Sequence, residues 1–253
     1  MITGAEFGAV VYGYWADRFG CAREDFHRPG TLVSEDGALG EAGVVYVYRI
    51  DQHSVVRMGP ELAGEIGLVG RQGGLSAALS ANEIRAMIAP LRSVAMGRIL
   101  LDCYLDGRAF QPWPVPGDLV ARRVHPRQDG ALLHDLYDAC SEIDLDEAEI
   151  YVDKPDPVIF GLFDGSLLVA YASHRYWGRI IADIGVLIHP AYRSRGLGKA
   201  VVSVLCGWCL EKDVLPMYRV HTDHLHSLGI ARALGFQELV VIESLELVGV
   251  TDG

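Results

Sequence analysis

The chain has 253 residues, 50% of them hydrophobic, which is enough for one large or two smaller cores and excludes a globally disordered polymer. A formal net charge of −11 speaks against a nucleic-acid-binding protein and favours a cationic substrate. Cys21, Cys103, Cys140, Cys206 and Cys209 make no disulfide-like framework, no apolar run reaches the ~18 residues of a membrane span, and MITGAEFGAVVYGYW lacks a basic leader, so a soluble, cytoplasmic protein with reduced thiols and no membrane partner is expected.

Glu6 to Gly20 carries Phe7, Val10, Val11, Tyr14, Trp15 and Phe19 in a pattern compatible with an amphipathic helix stopped by glycine. Arg28 to Gly43, rich in Gly, Asp and Glu, reads as a loop. Val44 to Met58 is two β-rich runs around Asp51-Gln52-His53, a hairpin. Pro60 to Ile66 and Ala81 to Met87 are short helices on either side of the glycine-rich Gly70 to Gly74, and Ile99 to Tyr104 is a strand. No internal repeat and no catalytic motif stands out in this half.

Gln111 to Gly117 holds Pro112, Pro114, Pro116 and Gly117 and is the best linker candidate, dividing the chain into 1–111, a linker at 112–117, and 118–253. Beyond it, Leu119 to Val124 reads as a strand and Gly130 to Cys140 as a helix, followed by an acidic run from Glu142 to Asp153. Pro157 to Phe163 and Leu167 to Tyr176 are strands joined at Asp164-Gly165-Ser166, a hairpin signal. Ile180 to Ile188 is the next strand. A helix to Glu211, a strand at Met217 to Thr222, a helix at Ser227 to Leu234 and a strand at Gln237 to Val248 complete the chain.

The stretch from Ile184 to Leu210 is the most informative. A β-branched run breaks at His189-Pro190, passes through Arg193-Ser194-Arg195-Gly196-Leu197-Gly198, and continues as an apolar helix. The first amides of a helix have no intrahelical acceptor, and the dipole adds positive character there. Gly196 and Gly198 let backbone approach a phosphate, while Arg193, Arg195 and Lys199 add charge. Neither a GxxxxGK[ST] loop nor a full GxGxxG fingerprint is present.

The pattern Arg193-x-x-Gly196-x-Gly198 after a strand and His189-Pro190 closely resembles the coenzyme A pyrophosphate loop of the GNAT acyltransferase superfamily. Downstream, Ser227, Ile230, Gly235 and Phe236 fit the family's N-x-x-S-x-x-L-Y-x-x-x-G-F segment, with His224 at the asparagine and Ala231 at the tyrosine. The resemblance runs from about Asp118 to the C-terminus. It implies an α/β fold with a mixed, mostly antiparallel sheet flanked by helices, preceded here by a smaller α/β region. It also implies an N-acyltransferase with acetyl-CoA as co-substrate and a small-molecule or peptide amine as acceptor. The family's cofactor contacts carry over to the edge backbone of Val186, Leu187 and Ile188 for the pantetheine arm. Those to the pyrophosphate carry over to the backbone of Ser194, Arg195, Gly196, Leu197, Gly198 and Lys199. His224 and Ser227 occupy further cofactor-contacting positions.

Acyl transfer to an amine requires the amine neutral, so a base must take one proton. Strand alternation puts Arg219, His221 and Asp223 on one face. His221 and Asp183 are the candidate bases, although either taken alone reads more readily as a polar residue at the surface or the edge of a core; His174 lies on the strand before Asp183. Ala231 cannot supply the hydroxyl that commonly protonates the leaving thiolate, so a coenzyme A-binding sensor or scaffold without transfer is the alternative reading. The acids Glu142, Asp144, Asp146, Glu147, Glu149 and Asp153 read as a solvated helix face or as the wall of a cleft for a cationic amine. Cys206-x-x-Cys209 falls inside a helix with no second ligand pair, which indicates core packing and no metal. The N-terminal region could shape the acceptor site, form a homodimer surface or be a diverged copy of the same fold; the sequence leaves these open.

Overall fold

The computed structural model describes residues 2–68, 75–151 and 156–248. The glycine-rich stretch at 70–74 and the acid Asp153 lie outside them. In the N-terminal part the elements are α1 (Gly4–Phe19), β1 (Gly30–Glu35), α2 (Gly37–Ala42), β2 (Val44–Ile50), β3 (His53–Met58), α3 (Pro60–Glu65), α4 (Ala81–Ile88) and β4 (Ser93–Tyr104). The C-terminal part contains β5 (Val120–Val124), α5 (Pro126–Ala139), α6 (Glu142–Glu147), β6 (Val158–Asp164), β7 (Leu167–Trp177), β8 (Ile181–Ile188), α7 (Leu197–Glu211), β9 (Leu215–His221), α8 (Leu225–Leu234) and β10 (Gln237–Val248). The expected elements are all present, with corrections: residues read as a loop from Arg28 to Gly43 hold β1 and α2, and β4 begins at Ser93 rather than Ile99. The Thr31-Leu32-Val33 run was the local signal for β1, and Asp36, whose carboxylate accepts from the Ala38 amide at 3.0 Å, was the signal for α2. α5 begins at Pro126, the residue type favoured at a helix's first position, rather than at Gly130.

Two compact units form, each drawn from three stretches of chain. The first takes the residues up to Phe7, Cys103–Arg219 and Leu225–Gln237; the second takes Gly8–Asp102, Val220–His224 and the residues from Glu238 onward. The proline-rich segment at 112–117 falls within the first.

In the second unit the strands run in the order β1-β3-β2-β10-β4. β1 lies parallel to β3, whereas β2 is antiparallel to both β3 and β10. Alternation along β2 sends Val45 and Val47 to one face, where they pack with Leu62, Ala63, Ile84 and Ile88 of α3 and α4. Tyr48 points the other way, against Trp15 and Phe19 of α1. A sheet with apolar residues on both faces must be covered on both sides, and here helices do it.

The first unit repeats that logic with strand order β9-β8-β7-β6-β5. β5, β6, β7 and β8 are successively antiparallel, and β8 lies parallel to β9. Tyr171 and Leu187 face Leu133, Leu136 and Tyr137 of α5. The opposite face packs on α7, with Trp208 of that helix near Phe160 and His174. α7 is apolar over most of its surface: Ala200, Val201, Val202, Leu205, Cys206, Cys209 and Leu210 are all buried. Burying each Val or Leu contributes about 1.5–3 kcal/mol, so this face anchors the helix and fixes where its N-terminus lies.

Candidate coenzyme A and acyl-transfer site

β8 ends at Ile188, and His189, Pro190 and a 3-10 turn at Pro190–Tyr192 lead into the start of α7. Ser194 and Gly196 both have left-handed backbone, at φ +63° and +76°. Gly196 is the N-cap of α7, no side chain caps the helix, and no acidic residue stands in its first turn. The first amides of α7 therefore retain their hydrogen-bonding capacity for an outside acceptor. Gly198 has a packing role: a Cβ there would lie 2.7 Å from Ile230 Cδ1, so glycine lets α8 close on α7.

The three cations around the turn differ in what they do. Arg193 pairs with Asp144 of α6 at 2.8 Å, and its Nε donates to the Ile188 carbonyl at 3.4 Å. Arg195 donates to the Ala191 carbonyl at 3.1 Å and stacks over Tyr192. The half-buried Lys199 ammonium stands 4.4 Å from the ring centroid of Trp113.

Val186, Leu187 and Ile188 lie on a strand that is unequally paired. β8 meets β7 all the way from Ile181 to Ile188, but it meets β9 only at Ile181, Ala182 and Asp183, opposite Leu215, Pro216 and Met217. Beyond Asp183 the β9-side ladder stops, which leaves main-chain groups of the second half of β8 for another partner. Asp183 sits at this fork, 6% exposed, and in β7 its register partner is Arg175.

The face of β7 and β8 bearing Ser173, Arg175, Asp183 and Gly185 is covered by the end of α6. A Cβ on Gly185 would lie 2.6 Å from the Ala148 carbonyl oxygen. Glu149, at φ +51°, pairs with Arg175 at 3.0 Å and Arg219 at 3.6 Å, and Arg175 also donates to its carbonyl. Asp156 accepts from Ser173 Oγ at 2.5 Å and faces Arg175 Nε at 3.7 Å. Thus Asp144 and Glu149, two members of the acidic run, are engaged with arginines of their own unit.

His221 and His224 are grouped with the second unit. Burial, and then the charge of Arg98, hold the His221 imidazole below its ordinary pKa, so it is neutral at pH 7; its buried Nδ1 has no hydrogen-bond partner among the described residues. Arg98 donates to His224 Nε2 at 2.6 Å and forks onto Asp223 at 3.0 and 3.2 Å. A guanidinium cannot accept, so this nitrogen of His224 carries the lone pair and is not a donor. Ser227, on α8, stands close enough to the buried hydroxyl of Tyr218 to favour its ionised form, although burial keeps that hydroxyl's pKa raised. Ala231 is buried one turn further along α8. The Tyr218–Ser227 approach, the fork after Asp183 and the position of Trp113 were not read from the sequence: the last two depend on residues distant in the chain, and the first on how α8 folds back on β9. Cys206 and Cys209 are buried in α7, and burial alone pushes the Cys209 thiol up to about 12. Among the described residues no helix is long and apolar enough to cross a membrane.

Residues 160–240, which hold β6 to β9, the uncapped turn and α8, match the family model of the GNAT acetyltransferases. Over that stretch the chain is similar to the GNAT acetyltransferases. No residue before 160 is in the match, and no curated protein matches the sequence. Among solved structures, a GNAT-family acetyltransferase from Colwellia psychrerythraea is similar at 14% identity and TM-score 0.50, over 76% of each chain. GCN5-related N-acetyltransferases from Sphaerobacter thermophilus (12% identity, TM-score 0.51) and Kribbella flavida (14%, 0.50) each align with 66% of this chain. The chain covers 57% and 64% of those two proteins, less than two thirds of either. At such identities these likenesses show the fold: a mixed, mostly antiparallel sheet flanked by helices.

Proposed function

We propose that the GNAT domain is an acyl-CoA-dependent N-acyltransferase that moves an acetyl group from acetyl-CoA directly to a primary amine of a small molecule or peptide. The observation that carries this reading is the start of α7: a left-handed glycine N-cap, no side-chain cap and no acid in the first turn, set after the β8 fork. A coenzyme A diphosphate fits the amides of Ser194 to Lys199, where Gly196 offers no Cβ. The edge of Val186, Leu187 and Ile188 suits the amides of a pantetheine arm. Acetyl-CoA would supply an acyl group on a good leaving thiol.

The protein's own task is to hold the amine and take its proton. Asp183, at the fork, is the candidate base within this unit; His221, a neutral imidazole, is the second. Ser227 of α8, beside the Tyr218 hydroxyl of β9, is the hydroxyl nearest in sequence to the position where Ala231 stands for the family's tyrosine. A cationic acceptor is favoured by the net charge of −11 rather than by Asp144 and Glu149, which already have partners.

Calorimetric titration with acetyl-CoA tests the reading, on the wild type and on Gly196→Glu, followed by a screen of amines for thiol release. Wild-type binding that the variant loses, with amine-dependent thiol release, is the expected result. Absence of binding to a folded wild type would remove the enzyme reading altogether.

A further inference from the structure

We infer that Trp113 recognises the diphosphate end of the cofactor, together with Lys199, and that the proline-rich segment around it serves as its mount. This rests on the coenzyme A reading above. The segment is fastened at several points. Gln111 donates its amide to the Leu234 carbonyl at the end of α8 (3.1 Å), and the Trp113 amide donates to Ser203 Oγ of α7 (2.8 Å). Ser203 is itself only 5% exposed, so its hydroxyl is a buried polar group whose partner is this backbone. Just upstream, the Ala109 carbonyl lies where a Cβ on Gly235 would come within 2.0 Å. Pro112, Pro114 and Pro116 limit the conformations available between these points.

So held, the Trp113 side chain stands beside the turn. Its Nε1 is 3.8 Å from the point a Gly196 Cβ would occupy, and the ring remains 39% exposed. Lys199 lies over its face, whereas Arg193 and Arg195 are engaged with Asp144 and the Ala191 carbonyl. A cation over an indole is restrained without being neutralised, so Lys199 is presented as a charge at the helix start. The indole N–H is a donor only. Helix amides, an ammonium and an indole N–H thus converge on one spot, and all three donate. Diphosphate oxygens, which only accept, complement that set.

The experiment is calorimetric titration with coenzyme A of the full chain and of Trp113→Ala, Trp113→Phe, Lys199→Ala and the Trp113→Ala/Lys199→Ala double variant, with a thermal melt of each. Phenylalanine keeps a ring for Lys199 and removes the N–H. We expect Kd to rise about tenfold for Trp113→Ala and for Lys199→Ala, and about threefold for Trp113→Phe. The double variant should lose less than the product of the single losses, because one residue acts partly through the other. A merely structural strap would lower the melting temperature and leave Trp113→Phe with wild-type affinity. That result, or strictly multiplicative losses, would overturn the inference. If the wild type itself bound no coenzyme A, the cofactor reading would fail and this one with it.

Discussion

The N-terminus of α4 and the N-terminus of α7 solve the same problem in opposite ways. At α4, Ser80 accepts from the Glu83 amide at 3.3 Å while the Glu83 carboxylate takes the Ser80 amide at 2.8 Å, closing a capping box. At α6, Ser141 and Asp144 do the same. At α7 a glycine holds the cap position and the first turn contains no acid. Helices that satisfy their own first amides are finished structural parts. α3 and α5 also lack a side-chain cap but carry an acid in the first turn, Glu61 and Asp129, whereas α7 has neither and leaves its first amides to an outside acceptor. Unsatisfied polar groups elsewhere carry a different meaning: the nitrogens of His174 are sealed from water, out of reach of any ligand, and they can only cost stability.

The largest effect should come from giving α7 a negative cap. Gly196→Asp, a residue that tolerates left-handed backbone better than most, is expected to weaken coenzyme A binding by more than about a hundredfold while changing stability by only about 1–2 kcal/mol. Calorimetry and a denaturant melt would check both halves; unimpaired binding would erase the contrast between α7 and α4.

The sealed histidine comes next. Burial lowers the His174 pKa to about 4; the Arg175 backbone opposes it and the charge of Arg123 adds to it. The unfolded chain, with an ordinary pKa near 6.5, then binds the proton more readily than the folded one. Stability is therefore complete above about pH 6.5 and falls as pH drops toward 4, by roughly 3 kcal/mol in all. His174→Phe should remove this acid-side loss, as read from melts at pH 7 and pH 5.

Capping boxes give a smaller, purely structural effect. Ser80→Ala should cost about 1 kcal/mol and leave coenzyme A affinity as it was. A change in affinity would mean that the cap at α4 is more than structural. Smallest is Asp144→Ala, which breaks a partly exposed ion pair with Arg193 and one half of a capping box. We expect a loss near 1 kcal/mol in melts and less than a threefold change in affinity, because neither Asp144 nor its partner Arg193 is among the groups proposed to hold the diphosphate.

Much of this was legible in the sequence. Local rules located the Gly165–Ser166 hairpin, the Val44–Met58 hairpin and the strand–turn–helix around Gly196, since turn residues and apolar periodicity act over a few positions. The same rules misread 28–43, where glycines and acids masked a short strand that is paired only through its neighbour β3. The sequence by itself determined that the chain would be α/β and that a strand, a glycine turn and an apolar helix follow one another around Gly196. Tertiary structure alone decided which cation stands at that turn, because Arg193 is claimed by Asp144 and Lys199 by Trp113, partners 49 and 86 residues away. It also decided that β8 parts from β9 at Asp183 and that the Ser227 hydroxyl meets Tyr218. Such choices depend on which residues packing brings into contact, and no local pattern encodes them.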